Sequence, residues 1–288
     1  MTATEKEERV VNFDQAADII KHWKTSELRL PSDFDWSTRK DGQSLDGLVL
    51  FYARMPLLDL AIQSGYPLHD DRALWSQRIE RLEGGWWTVA HLAVQRGNSF
   101  EFPFSHWDLK DSDGQPVIHA LIRSRRMPPA HFSQWEIKNE RGLSAAHAYL
   151  YSLRKPLPEG FTAWAIRDEL GWTTAHVAMK LAADTGQHEI AHLPEDRALW
   201  LLEKDLERPA PEGTRAGTVL HSAAGRGLPV PDIFSIEDFH LKNEHGYSVI
   251  DLARKGMNRR LIAQYEALVL AAQLADRPTA ARISRNVP

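Results

Sequence analysis

Trp107-Asp-Leu-Lys-Asp-Ser-Asp-Gly114-Gln-Pro-Val-Ile-His119-Ala is followed by Trp135-Glu-Ile-Lys-Asn-Glu-Arg-Gly142-Leu-Ser-Ala-Ala-His147-Ala, so aromatic, glycine and histidine all recur 28 residues on. A third copy, Trp164-Ala-Ile-Arg-Asp-Glu-Leu-Gly171-Trp-Thr-Thr-Ala-His176-Val-Ala, keeps the same internal spacing. Self-similarity at a fixed period marks a chain built from stacked units, each too small to bury its apolar face alone. This stretch therefore sets the architecture on either side of it.

Upstream, Gly85-Trp86-Trp87-Thr88-Val-Ala-His91-Leu-Ala93 repeats the phrase, and His91 stands 28 residues before His119. Downstream come Gly217-Thr218-Val-Leu-His221-Ser-Ala223 and Gly246-Tyr-Ser-Val-Ile-Asp251-Leu-Ala253, the latter with Phe239 for the tryptophan and Asp251 for the histidine. Between copies runs a second phrase, Pro129…Phe132…Trp135 and Pro158…Phe161…Trp164, foreshadowed at Leu30-Pro31…Phe34-Asp-Trp36. About seven units are counted. Within each, Asp/Asn-x-x-Gly is turn chemistry in which glycine supplies a positive φ. Ser or Thr three residues before the histidine (Thr88, Ser144, Thr173, Thr218, Ser248) caps a helix of about eight residues. The Pro-x-x-Phe-x-x-Trp phrase reads as one turn of helix with an aromatic anchor. Trp75, Trp107, Trp135, Trp164 and Trp200 fall at the repeat phase and are assigned to the core.

The domain layout follows. Residues 1–29 hold a tail and a capping helix from Phe13, with Asp14 as its N-cap and Ala16, Ile19, Ile20 and Trp23 at helical spacing. Residues 30–257 form the array. Residues 258–288 give a second capping helix (Leu261, Ile262, Tyr265, Leu268, Leu270) and a tail. Units near 56–83 and 181–213 are enlarged, and both carry Asp-Arg-Ala-Leu-Trp, at 71–75 and 196–200. The offset between them, 196 − 71, is 125, which suggests a longer-range duplication. The expected fold is an all-α repeat solenoid.

Composition removes several alternatives. The chain has 288 residues, 43% hydrophobic and 26% charged, as in an ordinary water-soluble protein. Zero cysteines rule out disulfides, thiolate metal ligands and cysteine nucleophiles together. No apolar run approaches the ~18 residues of a membrane span, and the charged opening Met1-Thr-Ala-Thr-Glu-Lys-Glu-Glu-Arg is no signal peptide. A cytoplasmic location is expected, or delivery into a host cytoplasm. A net charge of −4 gives no global support to nucleic-acid binding.

The unit resembles the ankyrin repeat, whose Asp-x-x-Gly-x-Thr-Pro-Leu-His-x-Ala core is matched by Gly217-Thr-Val-Leu-His221-Ser-Ala223 and by Gly171-Trp-Thr-Thr-Ala-His176-Val-Ala178. It departs from that family in period, 28 against about 33 residues, the loss lying in the second half of the unit. The resemblance implies a non-enzymatic protein–protein interaction scaffold that takes a protein partner and no cofactor. The short, tryptophan-rich dialect suggests a bacterial or phage inhibitor, immunity protein or effector.

Three groups of residues could carry function. His91, His119, His147, His176 and His221 form a column. Neighbouring members ~10 Å apart, the spacing of packed helices, cannot share a zinc ion that holds its ligands at ~2 Å, so they are read as structural. His188-Glu189-Ile-Ala-His192 matches the zincin string, in which two histidines on one helical face hold zinc and the glutamate activates water. Pro194 ends any such helix at once, and no third ligand is obvious, although Glu203 is available. A zinc metallohydrolase is therefore the competing class. The third group is the surface set. Basic helix ends (Arg123, Arg125, Arg126, Arg154, Lys155) face acidic tips (Asp111, Asp113, Glu140, Asp168, Glu169), and Trp86, Trp87 and Trp172 lie at or beside turn tips. Exposed aromatics are interface material, so these residues are the expected partner contacts. An arginine-rich groove reading nucleic acid is a further alternative.

Overall fold

The computed structural model describes residues 13–22, 24–25, 30, 56–64, 66, 68–81, 84–98, 100, 104–204 and 217–275. Trp23, Pro31, Phe34, Trp36, Asp41, Gly42 and Gly47, and the tails beyond, lie outside them. The chain divides into two compact units, Met1–Glu140 and Arg141–Pro288.

The first unit contains α1 (Phe13–Lys21), α2 (Pro56–Ser64), α3 (Arg72–Trp75), β1 (Arg78–Glu80), β2 (Trp86–Thr88), α4 (Val89–Gln95) and α5 (Val117–Arg123). Here α1 packs on α2, and α4 packs on both α3 and α5. The second unit contains α6 (Ala145–Leu153), α7 (Thr174–Thr185), a 3-10 turn His188–Ala191, α8 (Arg197–Trp200), α9 (Val219–Gly225), α10 (Ile236–His240), α11 (Val249–Lys255) and α12 (Arg259–Ala275). Its helices stack in series, α6 on α7, α7 on α9, α9 on α11 and α11 on α12.

The repeated helices start where the hydroxyl spacing places them. Thr88, Ser144, Thr173 and Thr218 each accept the backbone N–H of the histidine three residues on, and Ser248 accepts that of Asp251. An N-cap acceptor of this kind is worth ~1 kcal/mol. Small residues then let the helices approach. Ala145, Ala146, Ala175, Ala178, Ala182, Ala223 and Ala253 have no exposed surface. At the C-terminal ends of α9 and α11 the approach is closer still, because a β-carbon on Gly256 would come 2.6 Å from the Gly225 carbonyl oxygen. Glycine is required there for space, since its backbone has no positive φ.

All five expected tryptophan anchors are buried. Trp107, Trp135 and Trp164 occupy one local environment three times over. Each meets the phenylalanine three residues before it edge-on, with centroids at 4.7, 4.8 and 4.9 Å respectively for Phe104, Phe132 and Phe161. Such pairs add about 0.5–1.5 kcal/mol beyond the area they bury.

Three expectations need correction. The fold is mostly helical rather than all-α. Arg78–Glu80 and Trp86–Thr88 pair as an antiparallel ribbon, in register Ile79 with Trp87. Ile79 is buried between exposed Arg78 and Glu80, the period-2 pattern of a strand, and aromatic Trp86 and Trp87 suit its partner. The Pro-x-x-Phe-x-x-Trp phrase is a tight turn, not a helix. Phe132 and Phe161 donate their N–H to Pro129 and Pro158 (2.9 and 3.1 Å), and no helix lies between α5 and α6 or between α6 and α7. The short units therefore contribute one helix plus one turn each, which is how they reach a 28-residue period. Finally, Asp14 lies in the first turn of α1, not at its N-cap, because the helix begins at Phe13.

The candidate functional site

The histidine column is built into the joints between repeats. His91, His147, His176 and His221 place Nδ1 2.7 Å from the hydroxyl of their own cap. The Nε2 atoms of the five histidines reach carbonyl oxygens of the following repeat: His91 to Gln115, His119 to Ile137, His147 to Trp172, His176 to Gly217 and His221 to Leu241, at 2.8–3.1 Å. A carbonyl can only accept, so Nε2 carries the proton, and Nδ1 accepts from the hydroxyl. The ring is satisfied in its neutral form. Burial pushes the affinity for a second proton below the ordinary range at His91, His119 and His221, and down to a pKa of about 4 at His176. At His176 the surrounding Lys204, Arg167 and Arg226 push the same way. These rings join repeats.

Several acids expected at the partner surface also serve the repeat. Asp111 Oδ1 accepts the N–H groups of Asp113 and Gln115, and Asp168 Oδ1 accepts those of Leu170 and Trp172. Asn243 does the same for His245 and Tyr247. These side chains hold the turn that the following glycine completes. The residue just after them lies over the glycine of the preceding repeat. A β-carbon on Gly85, Gly114 or Gly142 would collide with Ser112, Glu140 or Glu169, and Glu244 covers Gly217. Burial would raise the Glu244 carboxyl, but the Lys204 ammonium at 2.5 Å together with backbone hydrogen bonds holds the group below the usual range.

Arg126 is likewise engaged, donating to the carbonyls of Val94 (2.7 Å) and Asn98. Asn98 and Asn258, seven residues after His91 and Asp251, reach back to Ile62 and Leu228 in the same way. Arg123, Arg125, Arg154 and Lys155 are exposed, and Arg125 and Arg154 have left-handed backbones.

The three tip tryptophans are half-buried, each with a cation near its face: Arg78 over Trp86 at 4.3 Å, Arg81 over Trp87 at 5.5 Å and Lys204 over Trp172 at 5.8 Å. Arg81 also pairs with Asp113 at 2.7 Å. Sequence reading passed over Tyr151, Leu170 and Tyr247, exposed by 41, 66 and 46%. A signal for them existed. Tyr247 follows its turn glycine as Trp172 follows Gly171, and Tyr151 stands four residues after His147 on the next helical turn. Lys255 lies 5.3 Å from the Tyr247 ring.

The His188–His192 string does not make a zincin helix. It forms a single 3-10 turn, His188–Ala191, and His192 leaves it with ψ 84. At three residues per turn, positions i and i+4 point ~120° apart rather than along one face. His188, Glu189 and His192 are exposed, and among the described residues no cluster of three or more metal-capable side chains forms. Among the same residues no helix is long and apolar enough to cross a membrane.

No family model matches the chain, and no curated protein matches it. Among solved structures it is similar to the ankyrin repeat domain of Bcl-3, described as a unique member of the IkappaB protein family, at 20% identity over 73% of this chain and 91% of that one, with a TM-score of 0.38. The repeat itself combines a capped first helix, an Asx-glycine tip and an imidazole that bridges to the next repeat.

Proposed function

We propose that the chain is a non-enzymatic interaction scaffold that seats a protein partner against its tips and the exposed ends of its first helices. About seven repeats, closed by α1 and α12 as caps, make up the array, with the enlarged units as its two landmarks. One observation supports this reading above the others. Much of the polar chemistry of the repeat serves its own structure, in imidazole bridges to the next repeat and in carboxylates that cap the turns. What stands outside includes large apolar side chains (Tyr151, Leu170, Tyr247) beside charges of both signs, surface that an interface can use. Trp86, Trp87, Trp172, Arg123, Arg125, Arg154 and Lys155 are its first contacts. Repeat arrays act through such extended surfaces.

By occupying its partner the protein inhibits or protects it, in the manner of a bacterial or phage inhibitor, immunity protein or effector, and it does so in a cytoplasm. The test is selection of displayed random peptides on the immobilised full-length chain. Binders that lose about tenfold in affinity to a Tyr151→Ala/Tyr247→Ala variant support the reading. Binders indifferent to every tip and helix-end substitution would remove it.

A further inference from the structure

In the second unit Tyr151, Leu170 and Tyr247 are exposed and Trp172 half-buried along the first helices and their tips, while Met257, Leu270 and Leu274 are exposed after α11 and on α12. Tyr151, on α6, is close enough to the next tip for the Asp168 carboxylate to raise its hydroxyl pKa, after the larger effect of burial. Asp168 itself holds the backbone of Leu170 and Trp172. Lys204 lies over the Trp172 ring and pairs with Glu244. The same turn presents Tyr247, with Lys255 at its ring. Tyr151 on α6, Leu170 and Trp172 on the tip before α7, and Tyr247 on the tip before α11 are thus placed along helices that stack in the order α6, α7, α9, α11, with none of the four from α9. At 8–10 Å per packed helix the run is roughly 30 Å long, enough for about nine residues of extended chain.

Charges of both signs line this run. Two of its carboxylates are engaged, Asp168 on its turn amides and Glu244 with Lys204, while Glu169 lies over Gly142 and is exposed. Lys204 is engaged with Trp172 and Glu244, but three other cations stand in solvent. Arg154 and Lys155, just past the end of α6, are exposed and have no ion pair among the described residues. Lys255 stands at the end of α11 beside a ring that is itself half in solvent. Building on the scaffold reading above, we infer that this face of the second unit takes an acidic, extended peptide segment whose apolar side chains lie on Tyr151, Leu170, Trp172 and Tyr247, and whose carboxylates meet Lys155 and Lys255. A nucleic acid fits less well. Its evenly spaced phosphates would pass Asp168, Glu169 and Glu244, whereas a peptide can place neutral residues there. Leu170 also offers a purely apolar contact.

The experiment uses the full-length chain, the peptides selected as above, a ten-residue peptide alternating Glu with Leu and Phe, its Lys-for-Glu counterpart, and oligo(dT). The expected result is enrichment of acidic, apolar-bearing binders. The Glu peptide should bind, weakening about tenfold in Lys155→Glu/Lys255→Glu and similarly between about 50 and 300 mM salt. All these residues are exposed, so circular dichroism should show each variant folded. Tip-dependent binders that are basic or uncharged would overturn the inference and leave the scaffold reading standing. Oligo(dT) binding more tightly than the Glu peptide would overturn it as well. Loss of tip dependence altogether would remove both.

Discussion

The segments at 71–75 and 196–200 carry the same five residues in different surroundings, and comparing them separates what a sequence phrase builds from what its neighbours make of it. In both, the aspartate caps a four-residue helix, Asp71 accepting from Ala73 and Asp196 from Ala198. In both, the tryptophan is buried and donates its indole N–H to a carbonyl six residues back, Trp75 to His69 and Trp200 to Pro194, at 2.9 Å each. In both, the arginine grips an aspartate in the following repeat with two hydrogen bonds, Arg72 to Asp108 and Arg197 to Asp238. The difference lies in that aspartate. Asp108 is 49% exposed; Asp238 is 2% exposed and also accepts from the backbone and hydroxyl of Ser235.

The shared part should yield to one substitution in either place. Trp75→Ala and Trp200→Ala each remove a fully enclosed ring, and each is expected to cost about 3–5 kcal/mol of stability by denaturant unfolding. Equal losses would establish the two segments as equivalent anchors. A Trp75→Ala loss below about 1 kcal/mol would break the equivalence.

The second segment has a further lock. His176 reaches across the whole enlarged unit to Gly217, 41 residues on. With its pKa brought down to about 4, against about 6.5 in an unfolded chain, His176 takes its proton first in the unfolded state. The stability it contributes is complete above about pH 6.5 and is lost as pH falls toward about 4, about 3 kcal/mol in all. His176→Gln should flatten the acid limb of a thermal-melting series between those values. An unchanged acid limb would show that the ring is not held neutral.

Much of this grammar was legible in the sequence, because caps, turns and anchors are local. Thr173 before His176, Asp168 before Gly171 and Trp164 after Phe161 each announce their roles through spacing alone. What could not be read depends on which surface the next repeat presents. Glu140 and Glu169 look like tip charges until the glycines beneath them are known, and Arg126 looks free until the carbonyls of Val94 and Asn98 are placed beside it. The Pro-x-x-Phe-x-x-Trp turn was misread for a related reason. Its aromatic spacing suits a helical turn equally well, and only the absence of residues to continue it decides for a bend. The candidate surface was half legible: tryptophans drew attention, while Tyr247, at the repeat position of Trp172, and Tyr151, one helical turn after His147, did not.

The two ion pairs give the smaller effects and the sharpest contrast. Asp238→Ala strips the cap of α10 and leaves the Ser235 N–H without its acceptor, an expected loss of about 2 kcal/mol. Asp108→Ala deletes an interaction of the same geometry, but both partners stay half in water, where Coulomb attraction is screened and the freed side chains regain entropy. The expected loss is about 0.5 kcal/mol or less, vanishing in high salt. Chemical denaturation of the two variants at low and high ionic strength decides the matter. Equal losses would mean that the bidentate geometry itself carries the stability. A large difference that persists in salt would mean that burial and the Ser235 cap do, and that the same arginine–aspartate pair is a tether in one repeat and a surface ornament in the other.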